Sequence, residues 1–277
     1  MFEVGNILKF KTIVKTSLAA TSLFALVACQ AIDSPVNTDL TSLSSAVQRN
    51  PEFGRSHNNL GAGLASYERY NEAYNSFSTA IKVSPNAPQP YYNRGLASIK
   101  LKRYSDAITD FNQAIKLNPN YDKAYVAKGN ALRLLRRYSA ALTAYNQAIG
   151  INSYNPRAYF QIGAIHQKRG NHTGAIVSFN QAMNFSSNVA QIFYARGVSN
   201  YALRNYNAAK GDFETASRIM PKSYDAYINL ARASAKLNDW QDAYTAYNNA
   251  ARRVPNSKEA VRGRANARVQ LTNLAKA

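Results

Sequence analysis

The stretch PQPYYNRGLASIKLKRYSDAITDFNQAIKLNPNY, residues 88–121, decides the fold, because its pattern returns every 34 residues between residues 54 and 257. Each copy carries an aromatic residue, a small residue four places later, a second aromatic, an alanine, a third aromatic and a second alanine. In the quoted copy these landmarks are Tyr91, Gly95, Tyr104, Ala107, Phe111 and Ala114. Six columns in register over six copies predict a repeat protein whose units are stable only when stacked.

The small-residue column lies inside the first helix predicted for each unit. It reads Gly61, Gly95, Gly129, Gly163, Gly197 and Ala231. Glycine within a helix costs about 1 kcal/mol relative to alanine. Its return in register therefore indicates that a close crossing of the paired helix needs the space, with the alanine columns as the other side of the contact.

Unit ends and helix starts also recur. The closing prolines are Pro85, Pro119, Pro221 and Pro255, while Ser153 and Ser187 replace them in units three and four. Proline stops a helix because it lacks the backbone donor. Small polar residues precede the second helix in the first five units and are predicted as N-caps. They are Asn71, Ser105, Ser139, Thr173 and Asn207.

This pattern resembles the tetratricopeptide repeat, a helix–turn–helix unit of the same length. The resemblance implies an all-α fold, a right-handed α-α superhelical solenoid of about six units. The expected units are 54–87, 88–121, 122–155, 156–189, 190–223 and 224–257. Residues 40–53 are expected to form an N-terminal capping half-repeat, and residues 258–277 a C-terminal capping helix and tail, because solenoid ends need a polar cover.

The first 28 residues have the pattern of a secretory signal peptide. Lys9, Lys11 and Lys15 precede a short apolar run that is too short to span a bilayer. The run ends in Leu-Val-Ala-Cys, which resembles the lipobox of bacterial lipoproteins. The resemblance implies cleavage between Ala28 and Cys29, lipid attachment at Cys29 and a lipidated tether over residues 29–39. The alternative for this sole cysteine is a buried structural thiol.

The charge balance is strongly basic, with 34 Lys and Arg against 15 Asp and Glu. The basic residues are spread through the predicted turns and form no single motif, and export argues against nucleic acid as a partner. Anionic lipid headgroups or acidic polymers of the envelope are the ligands that this charge would attract. The alternative is a solvated basic face that aids solubility.

No catalytic or metal-binding pattern stands out. Two of the three histidines, His57 and His172, fall in aromatic columns, and His166 has no second ligand at metal-binding spacing. The sole cysteine excludes an internal disulfide. The sequence therefore predicts no enzyme activity, no metal and no cofactor.

Solenoids of this kind present their first helices to a partner along a concave face. The residues predicted there are Asn58, Asn59, Tyr92, Asn93, Asn130, Arg133, Phe160, Gln161, Tyr194, Tyr201, Asn229 and Arg232. Aromatic rings supply contact area and amides satisfy backbone groups, which suits an extended or helical peptide. The alternative is that some rings pack within the groove. Asn93 and Lys123 match a carboxylate clamp of the family, but the clamp arginine is missing, so none is assigned.

These features predict an exported, lipid-anchored protein that scaffolds partner proteins of the cell envelope. Lipidated repeat proteins of similar plan include scaffolds for peptidoglycan hydrolases with their protease, and pilotin-like lipoproteins that assist pilus or secretion machines. Gln30 after the cysteine favours the outer membrane, facing the periplasm, by the same resemblance. A different class of function is an envelope polysaccharide-binding module.

Overall fold

The computed structural model describes residues 39–186 and 189–276. These residues form fourteen α-helices and no β-strand. The helices are α1 Leu40–Arg49, α2 Gly54–Ser66, α3 Tyr70–Val83, α4 Pro88–Lys100, α5 Tyr104–Leu117, α6 Asp122–Leu134, α7 Tyr138–Ile151, α8 Pro156–Lys168, α9 His172–Phe185, α10 Ala190–Ala202, α11 Tyr206–Ile219, α12 Tyr224–Lys236, α13 Trp240–Arg253 and α14 Lys258–Leu274. The predicted signal peptide, the cleavage site and Cys29 lie outside the described residues.

The even-numbered helices, called first helices below, each pack on the second helix that follows, from α2 with α3 to α12 with α13. Each second helix also packs on the first helix of the next unit, and α1 packs on α2 in the same way. Successive first helices touch each other, whereas no two second helices of the described chain do. The first helices therefore line the inside of a curved solenoid. The predicted all-α solenoid with a helix covering each end is confirmed.

The core repeats once per unit and centres on the third landmark aromatic. Phe77, Phe111, Tyr145, Phe179 and Phe213 are fully buried, and the alanine columns around them are buried as well. Each ring sits among residues of its own two helices and of the next first helix. Hydrophobic burial is thus distributed evenly along the solenoid and not gathered in one centre.

The regular 34-residue spacing of the glycines has a different cause from the one predicted. A Cβ atom on Gly129 would lie 2.5 Å from Cε1 of Tyr145, so the ring on the second helix, and not its backbone or alanines, occupies the space. In the last unit Ala231 stands in the glycine column. There the ring of Tyr247 instead lies against Gly263 of α14, which leaves room for the alanine side chain.

The second helices begin one or two residues earlier than the predicted N-caps. The N-cap positions are Arg69, Arg103, Arg137, Asn171, Asn205 and Asp239. Asn171 alone among these six accepts a side-chain bond, from the backbone N of Gly174 at 2.9 Å. The predicted cap residues lie inside the first turn, because the turn between the helices is only three residues long.

Each of these within-unit turns contains one residue in the left-handed region. The residues are Glu68, Lys102, Arg136, Gly170, Arg204 and Asn238, with φ between 57° and 77°. They stand 34 residues apart, so all six turns share one geometry. Only the fourth unit uses glycine, the residue that adopts this conformation without steric cost.

The junction between α7 and α8 is the least extensive of the interfaces between consecutive units. The turn there, residues 152–155, has Ser153 in place of the closing proline and contains the exposed Tyr154. The solenoid is therefore least tightly stacked between its third and fourth units.

Candidate partner-binding groove

A cavity of 250 Å³ opens on the inner side of the curve across three consecutive first helices. Its wall takes Tyr92 and Leu96 from α4, Val126 and Asn130 from α6, and Arg157 from the start of α8. These helices belong to units two, three and four, so the cavity, called the groove below, exists only when the three units are stacked.

Among the aromatic rings predicted on the inner face, Tyr92 lines the groove, whereas Phe160 and Tyr194 lie outside it. Tyr92 is 3% exposed, and its ring centroid lies 5.0 Å from that of Tyr121 and 6.0 Å from that of Phe111. Phe160 and Tyr194 pack in the same manner on the landmark aromatics of their own units, with centroid distances of 5.6 Å and 5.8 Å. Tyr92 therefore packs within the groove wall, as the alternative prediction for these rings had it, while Phe160 and Tyr194 are half-buried.

Four predicted amides are placed differently from the prediction, since they are buried between helices. Asn93 Nδ2 donates to Asn58 Oδ1 at 2.9 Å and joins α4 to α2. The hydroxyl of Tyr145 donates to Asn130 Oδ1 at 2.8 Å. Gln161 is 3% exposed. These side chains hold the solenoid together and offer a partner little surface, and the burial of Asn93 agrees with leaving the carboxylate clamp unassigned.

Further along the inner face, predicted residues join into a polar chain. Asn229 Nδ2 donates to the hydroxyl of Tyr194 at 3.1 Å, and Arg232 Nη1 donates to Asn229 Oδ1 at 3.0 Å. Arg232 also binds the carboxylate of Glu259 on α14, with Nη2 to Oε2 at 2.7 Å, and this bond raises the pKa of Arg232. Burial raises the pKa of Tyr194 to about 12. The polar groups of this chain of side chains bond to one another, and together they link α10, α12 and α14.

The twelve predicted residues therefore do not form one continuous site. The half-buried ones, which keep surface for a partner, are Asn59, Arg133, Phe160, Tyr194, Tyr201, Asn229 and Arg232. Of the twelve, only Tyr92 and Asn130 line the groove, and both are buried in its wall. The sequence placed the candidates on the helices that line the inner face, but it did not show which of their side chains project from that face.

One exposed aromatic residue of the groove was not predicted. Tyr154, in the turn before α8, is 76% exposed, and its ring meets that of Phe185 edge-on at 4.9 Å. A signal was available in the sequence: the equivalent places hold Asn86, Asn120 and Lys222. A large ring at the mouth of an open cavity offers contact area with little entropy to lose, because it has few rotatable bonds.

Charge at the groove is mainly positive. Lys123 at the start of α6 and Arg157 at the start of α8 both line it. The one lining carboxylate, Asp122, accepts a bond from Asn152 Nδ2 at 3.0 Å. The groove thus combines an aromatic ring, an apolar wall and two cations. This combination suits a peptide segment that carries an apolar side chain next to a carboxylate.

Sequence reasoning also missed two buried ion pairs. Arg94 on α4 binds Asp110 on α5 through two bonds, of 3.0 Å and 2.7 Å, and donates to Ser78 on α3 at 3.1 Å. Arg196 binds Asp212 in the same way three units later. The signal is an arginine and an aspartate 16 residues apart in units two and five only. Each arginine fastens its helix to both neighbouring second helices.

Metal sites and membrane-spanning helices are two other features that bear on function. Within residues 39–186 and 189–276, no group of three or more His, Cys, Asp or Glu side chains could hold a metal ion. No helix of that part of the chain is long and apolar enough to cross a membrane. His57 contacts a backbone carbonyl, with Nε2 2.9 Å from Pro51 O, and so has a local role.

Models of known sequence families match most of the repeat region. Family models described as tetratricopeptide repeats match residues 88–121, 156–188 and 201–277, and one described as the TPR repeat matches residues 64–102 and 129–170. Together they cover well over half of the chain. The chain belongs to the tetratricopeptide repeat family. No curated protein sequence matches this chain significantly.

Solved structures of tetratricopeptide repeat proteins share the fold. PilF of Pseudomonas aeruginosa is 14% identical with a TM-score of 0.68, over 79% of this chain and 99% of that one. The APC/C hetero-tetramer Cut9–Hcn1 gives 16% and 0.65, over 83% of this chain, which spans about half (46%) of the matched chain. YrrB, described as having an unusual peptide-binding site, gives 22% and 0.53, over 68% and 96%. At these identities the likeness shows the fold alone.

Proposed function

We propose that this tetratricopeptide repeat protein is a non-enzymatic adaptor that binds an extended segment of a partner protein in the groove across α4, α6 and α8. Members of the family act as scaffolds for protein partners, and YrrB is described as binding peptide. The observation that carries the proposal is the exposed ring of Tyr154 beside an apolar wall and two cations.

The chemistry of the groove narrows the segment. Lys123 and Arg157 favour a carboxylate, and the wall of Leu96 and Val126 favours an apolar side chain close to it. A segment with alternating apolar and acidic residues would satisfy both. Fully polar segments would leave the apolar wall against water and gain little hydrophobic free energy.

The second part of the proposal is the location. We infer from the sequence that Cys29 is lipidated and that the protein is held at a membrane of the cell envelope, the outer membrane by preference, facing the periplasm. The partners would then be envelope proteins, of which peptidoglycan hydrolases with their protease are the first candidates. Assembly of a pilus or secretion machine is the alternative at the same location.

The groove is best tested by photocrosslinking in the native cell. A photoreactive residue at Tyr154 should give a defined protein adduct, because its ring stands at the mouth of the groove. The same residue at Tyr67 is the matched control, since Tyr67 is also exposed (55%) but lies in the turn between α2 and α3. Equal labelling from both positions, or adducts from Tyr67 alone, would show that partners bind elsewhere.

A second measurement separates contact area from charge. Tyr154→Ala and Lys123→Glu should each weaken capture of the crosslinked partner, and Tyr67→Ala should leave it unchanged. All three should keep the helical circular dichroism, since none of the side chains is buried. Full capture by both groove variants would remove the groove from the proposal.

The exposed ring also favours one candidate of another class, because sugar rings stack on exposed aromatic side chains. Binding to purified sacculi distinguishes a polysaccharide-binding module from a protein adaptor. Sedimentation of the protein with sacculi stripped of other proteins, abolished by Tyr154→Ala, would assign the groove to wall polysaccharide. Recovery of a protein partner without sacculus binding assigns it to an adaptor.

Anchoring is tested independently of the groove. Cys29→Ala should release the protein from the membrane fraction or leave it as an unprocessed precursor. Unchanged processing and membrane retention would refute the lipid anchor but would leave the groove proposal standing.

A further inference from the structure

The within-unit turns of units two to five form a basic stretch along one edge of the solenoid, whereas the equivalent turns of units one and six hold two cations and four carboxylates. Residues 100–106, 134–140, 168–174 and 202–208 contain eight cations and a single carboxylate, Asp106. The eight, called the basic rim below, are Lys100, Lys102, Arg103, Arg136, Arg137, Lys168, Arg169 and Arg204. All eight are exposed. The sequence scatters them, but the fold aligns them, because all first helices run in one direction and end at this edge.

The opposite edge is different in charge. The turns between units, residues 84–87, 118–121, 152–155, 186–189 and 220–223, contain one charged residue, Lys222. A first helix of 13 residues separates the two edges by about 20 Å. The helix ends beside the turns between units also carry cations, such as Lys82, Lys116 and Arg157, so the positive charge of units two to five is denser at the within-unit edge but not confined to it.

Helix electrostatics do not account for the basic rim. Cations near the C-terminus of a helix are favourable, which would explain Lys100 and Lys168 in the last turns of α4 and α8. Arg103 and Arg137 are the N-cap residues of α5 and α7, where the helix dipole disfavours a cation. The dipoles of α5 and α7 therefore do not explain these two arginines, of which Arg103 also lies over the ring of Tyr74, with Cζ 5.6 Å from its centroid.

The described chain starts on the same side of the molecule. Helix α1 packs on α2 as each second helix packs on the next first helix, so α1 runs from the basic rim towards the opposite edge. It begins at Leu40, one turn or about 6 Å short of the rim, because it has 10 residues where α3 has 14. The ten residues between Cys29 and Leu40 can span at most about 35 Å.

We propose that the basic rim rests on anionic lipid headgroups of the membrane that holds the protein. The inference uses the lipid anchor of the proposed function for its setting, since an anchor joined on the rim side would bring that edge to the bilayer. The groove lies on the inner face of the curve and stays open in this orientation. Charge complementarity and the position of Leu40 near the rim both select a membrane surface as the occupant.

Vesicle sedimentation of the processed chain, residues 29–277 with Cys29→Ser, tests the rim in the absence of a lipid anchor on the protein. The chain should bind vesicles rich in phosphatidylglycerol and not vesicles of phosphatidylcholine. Raising the salt from about 0.1 M to about 1 M should abolish binding, since the screening length falls from about 10 Å to about 3 Å.

Two matched charge-reversal variants locate the contact. The set Lys102→Glu, Arg136→Glu and Arg204→Glu should weaken binding at least about 100-fold, at roughly fivefold for each cation. Glutamate is tolerated there, because Glu68 already occupies the equivalent left-handed position in the first unit. The control set Lys82→Glu, Lys116→Glu and Lys222→Glu makes the same change of net charge near the opposite edge and should weaken binding far less.

Several results would overturn the rim proposal. They are equal losses in both sets, no binding to anionic vesicles, or rim-dependent binding to a DNA fragment without vesicle binding. If the charge-reversed rim lowers the melting temperature, the neutral set Lys102→Gln, Arg136→Gln and Arg204→Gln replaces it with the same expectation. Release of Cys29→Ala from the membrane fraction tests the anchor alone, so a failed anchor and a failed rim give different results.

Discussion

Gly95 lies against Phe111 so closely that a Cβ atom on the glycine would stand 2.6 Å from Cε1 of the ring. Phe111 is fully buried and cannot swing aside without disturbing its neighbours. This contact, repeated in five of the six units, is the reason for the glycine column.

Gly95→Ala should therefore destabilise the protein, although alanine is the better helix former. Displacing a fully buried ring costs about 1–3 kcal/mol, which exceeds the gain of about 1 kcal/mol from helix propensity. Gly211→Ala on α11 is the control, because nothing lies within 4 Å of its added Cβ. Thermal denaturation should show a lower melting temperature for the first variant and a higher one for the second; the same sign for both would contradict the ring contact.

The buried pair of Arg94 and Asp110 predicts a strong dependence between the two positions. Asp110→Ala should cost about 2 kcal/mol, below the full cost for a buried pair because the Arg94 side chain is 21% exposed and reaches water. The double variant Arg94→Leu with Asp110→Ala reproduces the sixth unit, where Leu230 and Ala246 occupy these places. It should unfold within about 1 kcal/mol of the wild type. Additive losses in urea denaturation would show that the pair does not act as a unit.

The left-handed turns predict a stabilising substitution. Arg136 has a φ of 60°, which costs a residue with a side chain about 1–2 kcal/mol. Arg136→Gly should raise the melting temperature, by a net free energy of about 1 kcal/mol after the flexibility of glycine in the unfolded chain is counted. Its neighbour Arg137 has a φ of −82°, so Arg137→Gly should lower it. Equal effects of the two would show that the turn is not strained.

Acid should weaken one link between the last two complete units. Lys210 on α11 binds Asp239, and its Nζ lies 2.5 Å from Asp242 Oδ2 at the start of α13. The bond from Lys210 lowers the pKa of Asp239. A carboxyl whose pKa is lower in the folded state adds stability above its unfolded pKa of about 3.9, and this stability is lost as the pH falls below that value.

Lys210→Met measures that link. It should lower the melting temperature slightly at pH 7, and its difference from the wild type should shrink in acid. The carboxylates are largely exposed, so salt at about 1 M should also reduce the difference at pH 7. A difference that stays constant from pH 7 to acid would assign the effect to packing of the lysine stem.

The fold followed from the sequence because the landmarks are local and repeated. A single column, such as Gly61 to Gly197, is ambiguous, but six columns in one register leave no other architecture. The physical cause of a column was harder to infer, since the sequence does not say which atom of the second helix fills the space beside a glycine. The ring of Tyr247 shows this, because it turns to Gly263 where the column ends.

The groove was predicted less well, and for a different reason. Which side of a first helix meets the next unit depends on the rotation between units, which the period does not encode. Asn93 was therefore expected to face a partner, but it bonds to Asn58 on the preceding helix. Tyr154 and the pair of Arg94 with Asp110 are departures from the repeat, and a repeat-centred reading passes over departures. In this protein such departures supply the exposed ring of the groove and the ion pairs between arginine and aspartate.

The weak junction between α7 and α8 has a thermodynamic consequence. Stability in a solenoid is close to a sum of unit terms and nearest-neighbour terms, so the least extensive interface is where cooperative unfolding divides. Units one to three and units four to six should exchange amide hydrogens as two separate blocks. The groove takes side chains from both blocks, so a segment bound across it would stabilise the junction between them. The two blocks should then unfold in one transition, and partner binding should be measurable as a gain in unfolding cooperativity.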